Sequence, residues 1–283
     1  CGADVVFADV EQSTFNLSPE SVKQALSPRT RAIIAVHLFG LCAPVTPLRA
    51  FTGSIPVIED AACAAGSHHN GHSAGSLGEM AAFSFHPRKS ITTGEGGMVT
   101  TNNAEWAQKI KSLRNHGIPS LENGRDLPLY PPGAMADIQE LGFNYRMTDI
   151  QAAIGRVQLQ KLDRFIDERA QLAEYYGSTL SECPWIETPA APSNDRHAWQ
   201  SYVCMISPES APDSRDNLIR LLQEQGISTR PGTHAVHELS LYRQEEASCP
   251  NASLCARHSL AIPLNNGLSR EDCVRVVSAI MSL

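Results

Sequence analysis

Two short apolar runs set the frame within which this chain must fold. Ile55-Pro56-Val57-Ile58 is largely β-branched, is bounded by Gly53 and closes on the acidic pair Glu59-Asp60, so it reads as a buried strand with a carboxylate at its C-terminal end. Met80 to Phe85 reads as a second buried strand that delivers Ser84, and then Lys89, to the same edge. Strand and helix signals alternate around them. Val5 to Asp9, Thr30 to Phe39 and Met98 to Thr101 read as strands. Ser18 to Leu26, with Ser18 as cap and Glu20 in its first turn, reads as a helix, as do Pro47 to Phe51 and Glu105 to Arg114. This βαβ rhythm predicts a mostly parallel sheet, and ligands in open sheets of that kind sit beyond the carboxyl ends of the strands.

The second half has a different organisation. Thr148-Asp149-Ile150-Gln151 is a capping box opening one long helix, with Ile150, Ile154, Val157, Leu162, Phe165, Ile166, Leu172, Ala173 and Tyr176 recurring on one face. Its charged residues Lys161, Asp163, Arg164, Asp167, Glu168 and Arg169 read as a solvated face. After Pro189-Ala190-Ala191-Pro192 a smaller unit begins. In it Trp199 to Ile206 reads as a strand, Asp213 to Gln225 as an amphipathic helix ended by Gly226, and Ser269 to Met281 as a final helix capped by Ser269 and Asp272. The expected division is a large domain over 1–147, a bridging helix over 148–188 and a small C-terminal α/β domain over 189–283. Residues 122–140, with Tyr130-Pro131-Pro132-Gly133, read as a long loop.

Lys89 is followed by Thr92-Thr93-Gly94-Glu95-Gly96-Gly97, a turn whose glycines allow positive φ and close approach of backbone to a ligand. A strand-end carboxylate, a lysine and such a turn match what pyridoxal 5'-phosphate needs. An amine holds its aldehyde as a Schiff base, and an anion keeps its ring nitrogen protonated so that the ring can act as an electron sink. The turn is not a P-loop, because no Gly-Lys-Ser/Thr closes it, nor a G-x-G-x-x-G fingerprint opening a helix.

With 283 residues, 42% of them hydrophobic, the chain can bury a sizeable core, and its formal charge of −7 argues against nonspecific binding of nucleic acid. The eight cysteines include no C-x-x-C pair, in a chain too large to need staples, which points to a reducing cytoplasm. His68-His69-Asn70-Gly71-His72 reads as a tight turn and not a metal site, since no Cys or carboxylate lies at ligand spacing nearby. No run approaches the roughly 20 apolar residues that cross a bilayer.

The ordered set Glu59-Asp60-Ala61-Ala62, Gly75-Ser76-Leu77-Gly78, Phe83-Ser84-Phe85, Lys89, Thr93-Gly94-Glu95-Gly96-Gly97 and Gly142-Phe143-Asn144-Tyr145-Arg146-Met147, running into Gln151-Ala152-Ala153, resembles the DegT/DnrJ/EryC1/StrS family. These are pyridoxal-phosphate-dependent aminotransferases acting on nucleotide-linked keto-sugars, with glutamate as the typical amino donor. The resemblance implies the α/β fold-type-I architecture, with a mostly parallel large-domain sheet and a smaller C-terminal α/β domain. It implies that Lys89 forms the internal aldimine, Asp60 pairs with the pyridine nitrogen and Ser84 binds the phosphate. Asn144 would reach the phosphate of a neighbouring subunit's cofactor, which makes the active form a homodimer with shared sites.

The same resemblance places the 122–140 loop beside the substrate pocket and Arg230, His234 and His237 near the sugar nucleotide. Cys63 departs from the pattern, since many relatives carry Gln or His there, beside the cofactor's phenolic oxygen, and a thiol is a weaker donor. Relatives also carry a further segment before this point, so the chain is read as a fragment lacking roughly the first quarter to third of a complete enzyme. The alternatives are a non-catalytic cofactor-binding sensor or inactive fragment, and a sugar dehydratase, whose histidine would stand where this chain has Lys89.

Overall fold

The β-branched run at Ile55 does become a strand, and its neighbours assemble on either side of it. In this computed structural model, residues 2–119, 138, 140–189, 192–242 and 248–283 are described. Most of the 122–140 stretch expected to border the pocket therefore lies outside the described residues, as do Ala190 and Ala191 of the Pro-rich boundary. Helix α1 (Pro19–Ala25) begins on a proline, whose missing N–H is spare in a first turn. Strand β1 (Ile33–Val36), helix α2 (Val45–Thr52) and strand β2 (Val57–Asp60) form a parallel βαβ unit. Strands β3 (His68–His69) and β4 (His72–Ser73) make a hairpin whose turn, Asn70-Gly71, has positive φ at both residues, as a two-residue connection requires. Strand β5 (Met80–Ser84) lies parallel to β2, and β6 (Gly97–Thr101) runs antiparallel to β5, giving the order β1-β2-β5-β6. Helix α3 (Ala104–Leu113) follows, capped by the Asn103 side chain.

The C-terminal half begins with α4 (Asp149–Leu159) and α5 (Leu162–Leu180). Short strands β7 (Ile186–Glu187) and β8 (Asp195–Arg196) lead into β9 (Tyr202–Ile206), α6 (Arg215–Glu224) and β10 (Arg230–Pro231). Helix α7 (Pro250–His258), strand β11 (Ser259–Ile262) and α8 (Arg270–Met281) complete it. A second, antiparallel sheet has the order β10-β11-β9-β7, and β8 joins the β3–β4 hairpin in a third. Each of the two larger sheets has its own main apolar cluster. Val22, Ala35, Val45, Leu48, Val57 and Ala81 fill the space under the first sheet, and Tyr176, Leu180, Tyr202, Leu218, Leu260 and Ile280 fill that of the second. Among the described residues no helix is long and apolar enough to cross a membrane.

Five expectations are corrected. Val5 to Asp9 is not a strand: Val6 is 69% exposed, and the Asp9 carboxylate instead accepts from the Asn251 and Ala252 amides, capping the first turn of α7. Ser18 holds the N-cap backbone geometry of α1, but its hydroxyl makes no capping bond. The expected single helix from Thr148 breaks at Gln160-Lys161, and only its second part buries a face. Leu162 and Ile166 turn inward, whereas Ile150, Ile154 and Val157 are exposed. Arg169 does not join a solvated face but is 7% exposed. The strand expected from Trp199 starts at Tyr202, since Trp199 has a φ of 49° and the Gln200 N–H goes to the Phe39 carbonyl instead of a ladder.

One side chain joins the β1–β2 connection to the loop after β4. Glu59 is wholly buried, and its carboxylate accepts from the backbone amides of Gly75, Leu77 and Gly78 at 2.6, 2.8 and 2.7 Å. His37 Nδ1 accepts from the Ala43 amide, so its Nε2–H is the donor to Glu59 at 2.7 Å. Burial alone would raise the Glu59 pKa, but the hydrogen bonds from His37, Gly78 and Gly75 outweigh it and hold the carboxyl below its ordinary 4.5. The stability it contributes is therefore fully present above that value and is lost as the pH falls through the lowered folded-state pKa. Glu59→Gln should cost about 3 kcal/mol in urea unfolding at neutral pH, and less in acid. A variant as stable as the wild type at neutral pH would remove Glu59 from this role.

Candidate active site

The parallel register of β2 and β5 sets Asp60 opposite Ala82, so Ser84 lies two residues further along at the same carboxyl edge. Asp60 Oδ1 accepts from the Ala62 amide at 3.0 Å, a turn that swings the chain towards Cys63. Beyond β5 a tight turn presents the lysine. Ser84 Oγ accepts from the His86 amide at 3.3 Å, His86 Nδ1 from the Arg88 amide at 3.1 Å, and the His86 carbonyl from the Lys89 amide at 2.9 Å. Lys89 Nζ then lies 3.2 Å from Cys63 Sγ. The amine and the thiol meet at the strand edge that Asp60 and Ser84 occupy.

The glycine-rich turn closes beside them. Thr92 Oγ1 donates to the Phe85 carbonyl and Thr93 Oγ1 to that of Glu95. Gly96 has a φ of 151°, and a Cβ there would fall 2.6 Å from Thr93 Oγ1 and 3.0 Å from the Met147 methyl. Only glycine fits. Met147 ends the Gly142–Met147 segment, whose Asn144 is exposed and bridged to Asn115, with Phe143 and Tyr145 stacked at 4.8 Å. Gln151, in the first turn of α4, donates to the Glu95 carbonyl and ties that segment to the turn.

The three distant candidates are not gathered into this group by any hydrogen bond among the described residues. Arg230, at the start of β10, and His234 are exposed. His237 is buried against Ser253 Oγ, with its ring 6.3 Å from that of Phe7. Two contributors come instead from residues with no such expectation. The 197–200 segment crosses to the first sheet: the Ala198 amide donates to the Gly40 carbonyl, and Gln200 Nε2 to that of Arg88 at 3.1 Å. Gly40 has a φ of 99°, and a Cβ there would sit 3.1 Å from the Cys63 carbonyl and from the Trp199 nitrogen. Arg169 reaches Ser90 Oγ at 3.0 Å. Its signal was in the sequence, since Leu162, Ile166, Arg169, Ala173, Tyr176 and Leu180 share the buried stripe of α5. The path of 197–200 had none, because a tryptophan at positive φ is not written in composition.

The sequence matches the model of the DegT/DnrJ/EryC1/StrS aminotransferase family over residues 1–281. The fold is similar to that of the aminotransferase TlmJ from Streptoalloteichus hindustanus, with a TM-score of 0.88 and 28% identity over 98% of this chain and 72% of that one. It is similar to S. venezuelae DesV, solved in complex with a ketimine intermediate, at a TM-score of 0.85 and 31% identity over 97% and 71% of the two chains. DesI, solved in the presence of its TDP-sugar product, gives a TM-score of 0.85 and 30% identity over 98% and 68%.

His197 packs face to face with Trp199 at 3.9 Å and accepts from the Trp199 amide, and burial pushes its imidazole from 6.5 down to about 3. Its folded-state pKa is depressed, so the unfolded chain takes up the proton first, and stability falls as the pH drops below 6.5 towards 3. His197→Gln keeps an acceptor without titrating. Comparing urea midpoints at pH 7 and pH 5, the wild type should lose about 2 kcal/mol more than this variant. Parallel losses in the two proteins would show that His197 is protonated in the fold.

Proposed function

The chain belongs to the DegT/DnrJ/EryC1/StrS family of pyridoxal-phosphate-dependent aminotransferases, and from that premise we propose that it transfers an amino group from glutamate to a keto-sugar carried on a nucleoside diphosphate. The observation that carries the site assignment is the Lys89 amine against Cys63, at the sheet edge that ends in Asp60. A TDP-sugar product in DesI, at 30% identity, supports the substrate class.

The residues present suit the cofactor. A primary amine, a strand-end carboxylate and a turn at Gly96 that a Cβ would fill lie along one edge. When bound, pyridoxal phosphate supplies a protonated ring that delocalises the electron pair left when a substrate carbon loses its proton. Lys89 would hold the cofactor's aldehyde and, once freed by the amino donor, would be the base that moves that proton. Asp60 would keep the ring nitrogen protonated. Ser84 would take the phosphate, and Cys63 would offer the phenolic oxygen only a weak donor. Arg230 and His234, both exposed, suit the phosphates of a sugar nucleotide, and His237, assigned to the same region, is buried against Ser253.

Asn144 serves the partner's site in a homodimer. The exposed apolar residues of α4, Ile150, Ile154 and Val157, with Tyr145 at 72% exposure, offer the surface for that assembly. Among the described residues all seven cysteines are free.

Three measurements test this reading. Borohydride reduction of the holoenzyme should fix the cofactor on Lys89, and Lys89→Ala should abolish turnover; a reduced peptide mapping to Lys109 or Lys111 would refute the assignment. Asp60→Asn removes a charge at little change in volume, so kcat should fall at least about a hundredfold while cofactor binding weakens far less. Unchanged turnover would mean that the electron sink is arranged otherwise. Sedimentation of the active enzyme should show a dimer, and an active monomer would remove Asn144 from the site.

A further inference from the structure

Lys89 is gripped on both sides by residues from outside its own strand and turn. On one side Gln200 Nε2 donates to the Arg88 carbonyl at 3.1 Å, and on the other Arg169 Nη1 donates to Ser90 Oγ at 3.0 Å. Neither contact reaches the amine itself. Arg169 is an unusual choice for such a place, because it is 7% exposed and its hydrogen-bond partners, Ser90 and Asn266, are neutral. A guanidinium buried on neutral acceptors is costly, and burial lowers its pKa. Asn266 is itself fixed, donating to the Phe165 carbonyl at 2.7 Å and to Glu168 Oε2 at 2.9 Å. The chain Glu168–Asn266–Arg169–Ser90 thus joins α5 and the turn after β11 to the residue next to the lysine.

We propose that Arg169, acting through Ser90, and Gln200, acting through the Arg88 carbonyl, are positioning residues for Lys89. The inference rests on the assignment of Lys89 above. With residues 88 and 90 both pinned, the lysine side chain is the part free to move. Its amine, once displaced by the amino donor, stays aimed at the carbon whose proton it must take. Gln200 leads into β9 and Asn266 follows β11, so the aim of the lysine is set by the C-terminal sheet as well as by its own.

The test uses Ser90→Ala, Gln200→Leu, Arg169→Met and the Ser90→Ala/Arg169→Met double variant of the holoenzyme. The expected result is a fall in kcat of about tenfold in each single variant, with KM for the sugar substrate within about twofold. The double variant should be no worse than the poorer single one, because both changes cut one connection. In cofactor-free protein the rate at which trinitrobenzenesulfonate labels Lys89, read by peptide mapping, should rise in every variant as the turn loosens. Should Arg169→Met fail to fold, Ser90→Ala and Gln200→Leu carry the test. Unchanged kcat and labelling in both, with borohydride still fixing the cofactor on Lys89, would overturn the clamp, as would multiplying losses in the double variant. Cofactor fixed on another lysine would instead overturn the assignment beneath it.

Discussion

The Glu59 carboxylate, buried with four hydrogen-bond donors around it, is the point on which the carboxyl edge of the first sheet depends. An ionised group without water is tolerable only when its lone pairs are filled, and here they are filled by His37 from beyond β1 and by three amides of the 75–78 loop. That loop cannot move without stranding a charge. Since Asp60 is the next residue, the geometry that fixes Glu59 also fixes the carboxylate proposed to meet the cofactor. The glycines are part of the device: a Cβ at Gly78 would fall 2.3 Å from the Val57 carbonyl, so nothing larger lets the loop close over Glu59.

What could be read from the sequence was what is decided locally or by apolar periodicity. The capping boxes at Thr148 and Ser269 form as written, since a box needs only a side chain and the amide three residues on. The strands carrying Asp60 and Ser84 were legible for the same reason, and Lys89 follows from where the second ends. Val5 to Asp9 was misread because being a strand requires a partner, and a partner is not a local property. Arg169 was misread because a charged residue weighs towards solvent, although its spacing with Leu162 and Ile166 says otherwise. The approach of Gln200 to Arg88 joins residues 112 apart in sequence, and no periodicity announces such a contact.

Cys63 joins two parts of the structure. The thiol receives the Lys89 amine at 3.2 Å. A Cβ at Gly40 would sit 3.1 Å from both the Cys63 carbonyl and the Trp199 nitrogen, so glycine there keeps the space between the Cys63 backbone and the 197–200 segment clear. The carbonyl and the side chain of Cys63 therefore face different neighbours, Gly40 and the Lys89 amine.

The Asp9 carboxylate caps a helix whose first amides lie 242 and 243 residues further along the chain. Closing so long a loop is slow as well as entropically unfavourable, so this contact forms after the local ones within either sheet. Until it forms, the first turn of α7 has no side chain on its free amides, since Cys249 at the N-cap makes no capping bond.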